Sequence, residues 1–247
     1  MITDPWFYAC AVVAVLIVGI AKGGLGGGVG IVGVPLMSLT IAPVRAAAIL
    51  LPILLVMDAF ALHAWWRRWD EANLRTMIPG AILGTLIGLA TFRMLSNDAM
   101  RLLVGIMALT IAIAWYVGPT NVAAKSSSML RGTFWSTLAG FTSFGIHAGG
   151  PPIQVYLLSQ RLDKSLFQAT TVAFFFIVNW LKLPAFAWLD QLDLSNLSTS
   201  LILAPLAPLG IWIGRVAHDR IDERAFYHVI YGSLIIIGAK LIYDGLR

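Results

Sequence analysis

The chain has 247 residues, of which 59% are hydrophobic and only 12% are charged, and its formal net charge is +5. With a mean hydropathy of +0.83 it has too little polar surface to coat a soluble globule, so lipid is its expected solvent. The single cysteine, Cys10, excludes an internal disulfide and a thiolate metal site, and we expect neither a metal nor another cofactor. The basic residues do not interleave with aromatic residues, so no nucleic acid is expected as a partner.

Eight apolar segments are candidates to cross a bilayer as helices. In chain order they are residues 6–21, 44–66, 77–95, 100–118, 132–147, 166–188, 197–214 and 225–243. The first segment does not resemble a cleavable signal peptide, because Asp4 precedes it without any Lys or Arg and the following glycines do not form a cleavage site. The pattern predicts an all-α polytopic membrane protein with about eight spans plus half-helices.

Two glycine-rich turns interrupt this pattern. The first occupies residues 22–30 and is followed by Gly33 and Pro35, and the second occupies residues 144–152 and ends in two glycines and two prolines. Glycine allows close backbone approach and proline suits the first turn of a helix, so each turn predicts a broken helix with a new N-terminus. Two such N-termini, converging from opposite faces of the membrane, would form an anion site.

The alternative is that these glycines only allow helices to pack closely. That interpretation is favoured for the glycines spaced by four residues, which are Gly80, Gly84 and Gly88 in one half of the chain and Gly210 and Gly214 in the other. The five glycines between residues 24 and 30 exceed what one helix face can use for packing.

An internal repeat relates the two halves of the chain. Its landmarks are Gly28, Gly33 and Pro35, which recur 117 positions later, and Pro79, Gly84 and Gly88, which recur 126 positions later. The drift between these spacings predicts an insertion between Asp190 and Ser200. We assign residues 1–122 to repeat 1, with a hairpin at 6–43 and helices in 44–118. Residues 123–247 form repeat 2, with a hairpin at 132–160 and helices in 166–243.

Basic loop residues indicate that the two repeats are inverted. Loop 67–75 carries three arginines and is predicted to be cytoplasmic, whereas the corresponding loop 189–198 has no Lys or Arg and is predicted to lie outside. Arg93 and Arg101, which this topology places outside, fit it least well. Inverted repeats are common in secondary transporters. The topology predicts a multi-pass protein of the cell inner membrane with both termini on the outer face.

Ionisable residues within spans are candidates for function, because burying them in a bilayer is costly. Lys22 lies at the first turn and His147 at the second, where each could contact an anion; the alternatives are a snorkelling lysine and a structural histidine. Asp58 lies mid-span, and its approximate counterparts in repeat 2 are Asn179 and Lys182. An Asp58–Lys182 ion pair that holds the bundle together is as plausible as direct substrate contact by these residues.

The predicted substrate-binding residues therefore belong to the two turns. They are Lys22, Gly23, Gly24, Gly26, Gly27, Gly28, Gly30 and Pro35 in the first, and His147, Gly149, Gly150, Pro151, Pro152 and Gln154 in the second. A Gly-x-Gly-x-x-Gly pattern at 28–33 does not indicate dinucleotide binding, because no strand precedes it.

The residues around both turns resemble the sulfite exporter TauE/SafE family, also called the TSUP transporters. The resemblance rests on Gly19-Ile-Ala-Lys-Gly-Gly-Leu-Gly-Gly-Gly-Val-Gly, Val34-Pro35-Leu36 and Gly149-Gly150-Pro151-Pro152, and it covers nearly the whole chain. It implies an inner-membrane protein with duplicated halves that exports sulfite, sulfonates or related small organic anions. It implies no catalytic residues.

The sequence thus favours a secondary transporter in which a small anion binds near the bilayer midplane between the two hairpin tips and is exposed to each face in turn. The first alternative is an anion channel, because half-helix dipoles also line channel pores. A membrane-embedded enzyme is less favoured, because no hydrolytic or metal-binding pattern is present. The expected partners are the anion, membrane lipid and, in a possible homodimer, a second copy of the chain.

Overall fold

A computed structural model of the chain describes residues 2–24, 30–118, 126–217 and 223–247, and every element within those ranges is a helix. The α-helices are α1 (Pro5–Gly24), α2 (Gly33–Met37), α3 (Pro43–Ala64), α4 (Glu71–Met94), α5 (Asn97–Val117), α6 (Met129–Ile146), α7 (Gly150–Leu158), α8 (Lys164–Trp188), α9 (Leu194–Leu203), α10 (Leu206–Ala217) and α11 (Glu223–Gly245). A 3-10 turn, Gly30–Val32, precedes α2. The all-α prediction is confirmed for the described residues.

Six stretches of the described chain are long and apolar enough to cross a membrane. They are α1, α3, α4, α5, α8 and the stretch Leu194–Val216, which combines α9 with α10. The expected spans at 132–147 and 225–243 are present as the helices α6 and α11, with 18 and 23 residues, but they are not among these six. The expectation of about eight spans stays a prediction.

Polar N-caps start several helices earlier than the apolar pattern predicted. The side chain of Asp70 accepts a hydrogen bond from Asn73 N and starts α4 at residue 71, and Asp193 caps α9 in the same way. The predicted starts at 77 and 197 were therefore too late, because a capping carboxylate satisfies the free N–H groups of a helix before its apolar face begins.

The predicted span 197–214 is interrupted rather than continuous. Helix α9 ends at Leu203 and α10 begins at Leu206. Pro205 lies at the interruption and Pro208 follows within the first turn of α10, and neither supplies a backbone N–H to continue the hydrogen-bond pattern. The break follows from these prolines.

Glycines bring two pairs of helices into backbone contact. A Cβ placed on Gly80 or Gly84 of α4 would lie 2.2 or 2.0 Å from the carbonyl oxygen of Thr133 or Thr137 of α6. In the same way, a Cβ on Gly214 of α10 would lie 2.2 Å from the carbonyl oxygen of Ile20 of α1. The contact positions advance together along α4 and α6, so these helices run parallel. The packing interpretation of these glycines is confirmed.

Two other pairs of helices, α5 with α11 and α3 with α8, also pack against each other. Gly245 and Gly238 of α11 approach Leu102 and Leu109 of α5, so the two helices run antiparallel. Helices α3 and α8 pack against each other. Of the six candidate spans α3 is the most enclosed, with 56% of the residues in its apolar stretch buried, and α8 follows with 50%. The crossing of α3 and α8 is therefore the centre of the described fold.

Apolar side chains also cover the outside of the bundle. Leu86, Trp180, Ile202 and Trp212 are among the large hydrophobic residues that are exposed. A soluble monomer rarely exposes so many, whereas a membrane protein presents such residues to lipid. The surface agrees with the composition.

Candidate functional site

A cluster of buried polar side chains lies where α1, α3, α6 and α8 meet. We call it the central polar cluster, and its members are Lys22, Asp58, Ser143, His147, Asn179 and Lys182. Asp58 is 2% exposed and Lys182 is fully enclosed. Burial of this many polar groups in a membrane protein is costly, so the cluster is the first candidate for the functional site.

Asp58 is bound from two sides. Lys22 Nζ, in the last turn of α1, forms an ion pair with Oδ1 of Asp58, and Asn179 Nδ2 donates a hydrogen bond to Oδ2. Both carboxylate oxygens are thus satisfied. The predicted Asp58–Lys182 ion pair is wrong, because the end of α1 brings Lys22 to the carboxylate while Lys182 turns toward α6.

Lys182 is held by three acceptors on α6 and its C-cap. Its Nζ lies 3.2 Å from the carbonyl oxygen of Ser143, 3.0 Å from Ser143 Oγ and 2.7 Å from His147 Nδ1. An ammonium group has three donors and no acceptor, so this arrangement fits a protonated lysine. No carboxylate among the described residues forms an ion pair with Lys182.

His147 connects Lys182 to the central helix α3. Its Nε2 lies 3.0 Å from the carbonyl oxygen of Ala47, and a carbonyl only accepts, so Nε2 donates. Its Nδ1 is then the acceptor for Lys182, which makes the ring neutral. Neither Ser143 nor the Ala47 carbonyl was predicted as a partner, because hydroxyls and carbonyls within apolar segments carry no distinguishing sequence signal.

The backbone at His147 explains why these groups converge. His147 is the C-cap of α6 with φ 54°, in the left-handed region that commonly ends a helix, and the next N–H, of Ala148, bonds back to Thr142. Helix α7 begins at Gly150, with prolines in its first turn. The helix break predicted for residues 144–152 is therefore present, and its turning point is the histidine.

Other predicted residues of the second turn lie around that break. Gly149 is the N-cap of α7, and a Cβ there would lie 2.8 Å from the carbonyl oxygen of Ala139, so close packing accounts for it. Gly150 and Pro152 are buried, whereas Pro151 and Gln154 are half-buried. The N–H groups of Gly149 and Gly150 form no hydrogen bond with another described residue.

The first turn is described only in part. Gly23 and Gly24 complete α1 after Lys22, Gly30 begins the 3-10 turn, and Pro35 is buried in α2. A Cβ on Gly23 would lie 2.3 Å from the carbonyl oxygen of Ile211, so Gly23 serves packing against α10. The predicted residues Gly26, Gly27 and Gly28 lie outside the described residues, and their assignment to the substrate site stays a prediction.

A small cavity reaches the edge of the central polar cluster. Lys22 and Asp58 line it together with Gln168, Thr171 and Phe175 of α8. It offers about 20 Å³ in which the centre of a water molecule fits. One water needs about 10–15 Å³ of such space, so an anion of sulfur and several oxygens does not fit without movement of the helices. The described space beside the cluster is therefore too small for such an anion in this conformation.

The family match covers the helices that build this site. The family described as "Sulfite exporter TauE/SafE" matches residues 11–241. The chain belongs to the sulfite exporter TauE/SafE family. The resemblance seen in the two glycine-rich turns is thereby confirmed, and with it the class of membrane transporter.

A curated relative agrees with this family. The chain is 25% identical over 226 residues to a "Probable sulfite/organosulfonate exporter TauE" of Cupriavidus necator, and the match covers 89% of this chain and 86% of that protein. No solved structure matches the chain. The TauE/SafE family is a family of exporters, so membership favours transport over catalysis for this chain.

A repeated polar motif was missed in the sequence of this TauE/SafE chain. Asp-x-x-Asn-Leu-x-Thr occurs at residues 70–76 and again at 193–199, at the starts of α4 and α9. Asn73 exchanges two hydrogen bonds with Gln160, and Asn196 accepts one from Arg45. Both motifs lie at the edges of the apolar segments, which is why the search for spans passed over them.

Proposed function

We propose that this chain is a secondary transporter that exports small anions such as sulfite, sulfonates or related organic anions across the cytoplasmic membrane. The observation that carries the proposal is Lys182, a fully enclosed cation without a described carboxylate partner. An unpaired charge in a membrane interior costs several kcal/mol, and a bound anion removes that cost. The family and the curated relative supply the substrate class, sulfite and organosulfonates.

The anion site is proposed at the central polar cluster, next to the two helix breaks. Lys22 ends α1 and His147 ends α6, so both turns contribute a side chain to the cluster. The free N–H groups of Gly149 and Gly150 lie at the positive end of the α7 dipole, two and three residues after His147. These features support a site between the hairpin tips, as the sequence predicted.

Inverted repeats are proposed for the two halves, with α1, α2, α3, α4 and α5 equivalent to α6, α7, α8, α9–α10 and α11 in that order. When each helix is replaced by its proposed equivalent, the α1–α10 interface becomes the α6–α4 interface. Glycines bring the two backbones into close contact at both interfaces. The equivalent helices α5 and α11 run antiparallel. Antiparallel counterparts support a pseudo-two-fold axis in the membrane plane. The proposed boundary at residues 122 and 123 lies outside the described residues.

Alternating access is supported by two polar contacts that join the halves at opposite ends of the bundle. Asn73 of repeat 1 contacts Gln160 of repeat 2 near the loops proposed as cytoplasmic. Arg45 of repeat 1 donates to Asn196 and Ser195 of repeat 2 near the loop proposed as external. We propose that one contact opens while the other stays closed, and that both chain termini lie on the outer face.

Counterflow in proteoliposomes tests this function. Vesicles with the purified protein are loaded with unlabelled sulfite or methanesulfonate and diluted into labelled anion. A transporter gives a transient overshoot of internal label that saturates with concentration. A flux that does not saturate and shows no overshoot would indicate the channel, and chemical conversion of the anion would indicate an enzyme.

A further inference from the structure

The charges of the central polar cluster do not sum to zero. Lys22 and Asp58 form an ion pair, which contributes no net charge. Lys182 donates to three acceptors, as an ammonium does, and His147 is neutral because its Nδ1 accepts from Lys182 while its Nε2 donates to a carbonyl. The described cluster therefore holds one positive charge in excess.

The three charged side chains act as one electrostatic unit. Asn179 and Lys182 lie one turn apart on α8, and Asn179 binds the carboxylate of Asp58. The Lys22–Asp58 pair therefore lies next to Lys182. Because these groups are enclosed, water and salt screen their charges little. An anion at the cluster responds to their sum.

We propose that the central polar cluster selects anions that carry a single negative charge, and that the Lys22–Asp58 pair sets this selection. The inference rests on the proposed function, which places the substrate at the cluster. A monovalent anion neutralises the excess charge, whereas a divalent anion leaves a buried negative charge without a partner. The preferred class is thus sulfonates and hydrogen sulfite, which are monovalent, over sulfite and sulfate, which are divalent.

Asp58 is the specificity-determining residue in this scheme. Its carboxylate cancels Lys22, so the cluster presents one cation instead of two. Asp58→Asn keeps the size of the side chain and its hydrogen-bonding oxygen while raising the net charge of the cluster to two. Lys22→Met lowers the net charge to zero. The double variant Lys22→Met/Asp58→Asn returns it to one and is the matched control.

Titration calorimetry on the full chain in nanodiscs tests the proposal, with methanesulfonate as the monovalent probe and sulfate as the divalent one. We expect the wild type to bind methanesulfonate at least about tenfold more tightly than sulfate, which corresponds to about 1.4 kcal/mol. Asp58→Asn should shift this ratio toward sulfate by at least about tenfold, and the double variant should restore the wild-type ratio. Lys22→Met should weaken methanesulfonate binding by about tenfold or more.

Each outcome decides the proposal. A wild type that binds sulfate as tightly as methanesulfonate, or an Asp58→Asn variant with an unchanged ratio, would overturn the charge selection and leave anion transport intact. If Asp58→Asn does not fold, two measurements still test the proposal: the affinity ratio of the wild type and the methanesulfonate affinity of Lys22→Met. An unchanged affinity in Lys22→Met would contradict the dependence of binding on the net charge of the cluster. A wild type that binds neither probe nor sulfite would contradict the proposed function itself.

Discussion

Lys182 combines complete enclosure with a full set of hydrogen bonds. Its three neutral acceptors satisfy the geometry of an ammonium group but do not cancel its charge. A purely structural lysine would be expected to pair with the nearest carboxylate, yet Asp58 is bound to Lys22 and Asn179. Hydrogen bonds to Ser143 and His147 hold its ammonium group in place without cancelling its charge, as the proposed anion site requires.

Replacing this lysine tests its role at the residue scale. We expect Lys182→Met to weaken sulfite or sulfonate binding by about tenfold or more, equivalent to about 1.4 kcal/mol, because the variant keeps the length of the side chain and loses only its charge and donors. The matched control is Lys240→Met, since Lys240 is half exposed and forms its ion pair with Asp244, one turn along α11. Equal affinity in both variants, measured by calorimetry, would remove Lys182 from the site.

His147 illustrates how a residue gains its role from the backbone. The sequence suggested that its ring contacts the anion or has a structural role. In the structure both ring nitrogens are engaged, one with Lys182 and one with the Ala47 carbonyl, and the left-handed backbone at φ 54° directs the ring inward. It acts as a positioning residue for Lys182. Direct contact with the anion stays a prediction.

At the scale of the elements, the close packing of two helices depends on single glycines. Gly84→Ala should destabilise the protein by about 1–3 kcal/mol, because the added Cβ would meet the carbonyl oxygen of Thr137 at 2.0 Å and the backbone cannot retreat. Gly232→Ala is the matched control on α11, where the nearest atom to an added Cβ is Tyr116 Oη at 3.8 Å. That variant should be neutral or slightly stabilising, since alanine favours helix more than glycine does.

Thermal unfolding of the two variants in one detergent measures the difference. Gly84→Ala should unfold at a lower temperature than the wild type, and Gly232→Ala should not. An equal midpoint for both alanine variants would mean that α4 and α6 are not in backbone contact. A loss of transport in Gly84→Ala without loss of stability would instead assign that glycine a direct role in the cycle.

The elements could be predicted from the sequence better than their contacts could. The length of the apolar segments predicted the long helices, and glycine with proline predicted the break at residues 144–152, because these signals are local. The partner of Asp58 could not be predicted, since it depends on which side of α3 the end of α1 approaches. The interruption at Pro205 was foreseeable from two nearby prolines, but the apolar pattern of residues 197–214 continues through it.

The members of the central polar cluster could be predicted only in part, for a related reason. Lys22, His147, Asn179, Asp58 and Lys182 were singled out because ionisable and amide groups are rare within apolar segments. Ser143 was not, because a serine inside a helix commonly bonds to its own backbone. Its contact with Lys182 depends on α6 and α8 lying side by side, and that arrangement is set by the whole bundle.

At the scale of the whole molecule, the central helices α3 and α8 differ in role from the glycine-packed pairs α1–α10 and α4–α6. Helices α3 and α8 are the most enclosed of the six candidate spans and carry Asp58, Asn179 and Lys182. The pairs α1–α10 and α4–α6 each join one half to the other through backbone contacts, which suits them to move as rigid units. In the proposed alternating access, movement of such units against the central helices exposes the cluster to one face at a time.

The proposed inverted topology concerns the whole molecule, because the anion site is proposed on the axis that relates the halves. In a Cys10→Ala background, we expect Leu194→Cys to react with a membrane-impermeant maleimide on intact cells. Trp66→Cys should react only after the membrane is permeabilised. The two positions are 87% and 59% exposed, so both thiols are open to the reagent. Loop 67–75 is basic and loop 189–198 is not, and this difference predicts that the two loops lie on opposite faces. Labelling of both cysteines from the same side would contradict the inverted repeats and, with them, a site on a shared axis.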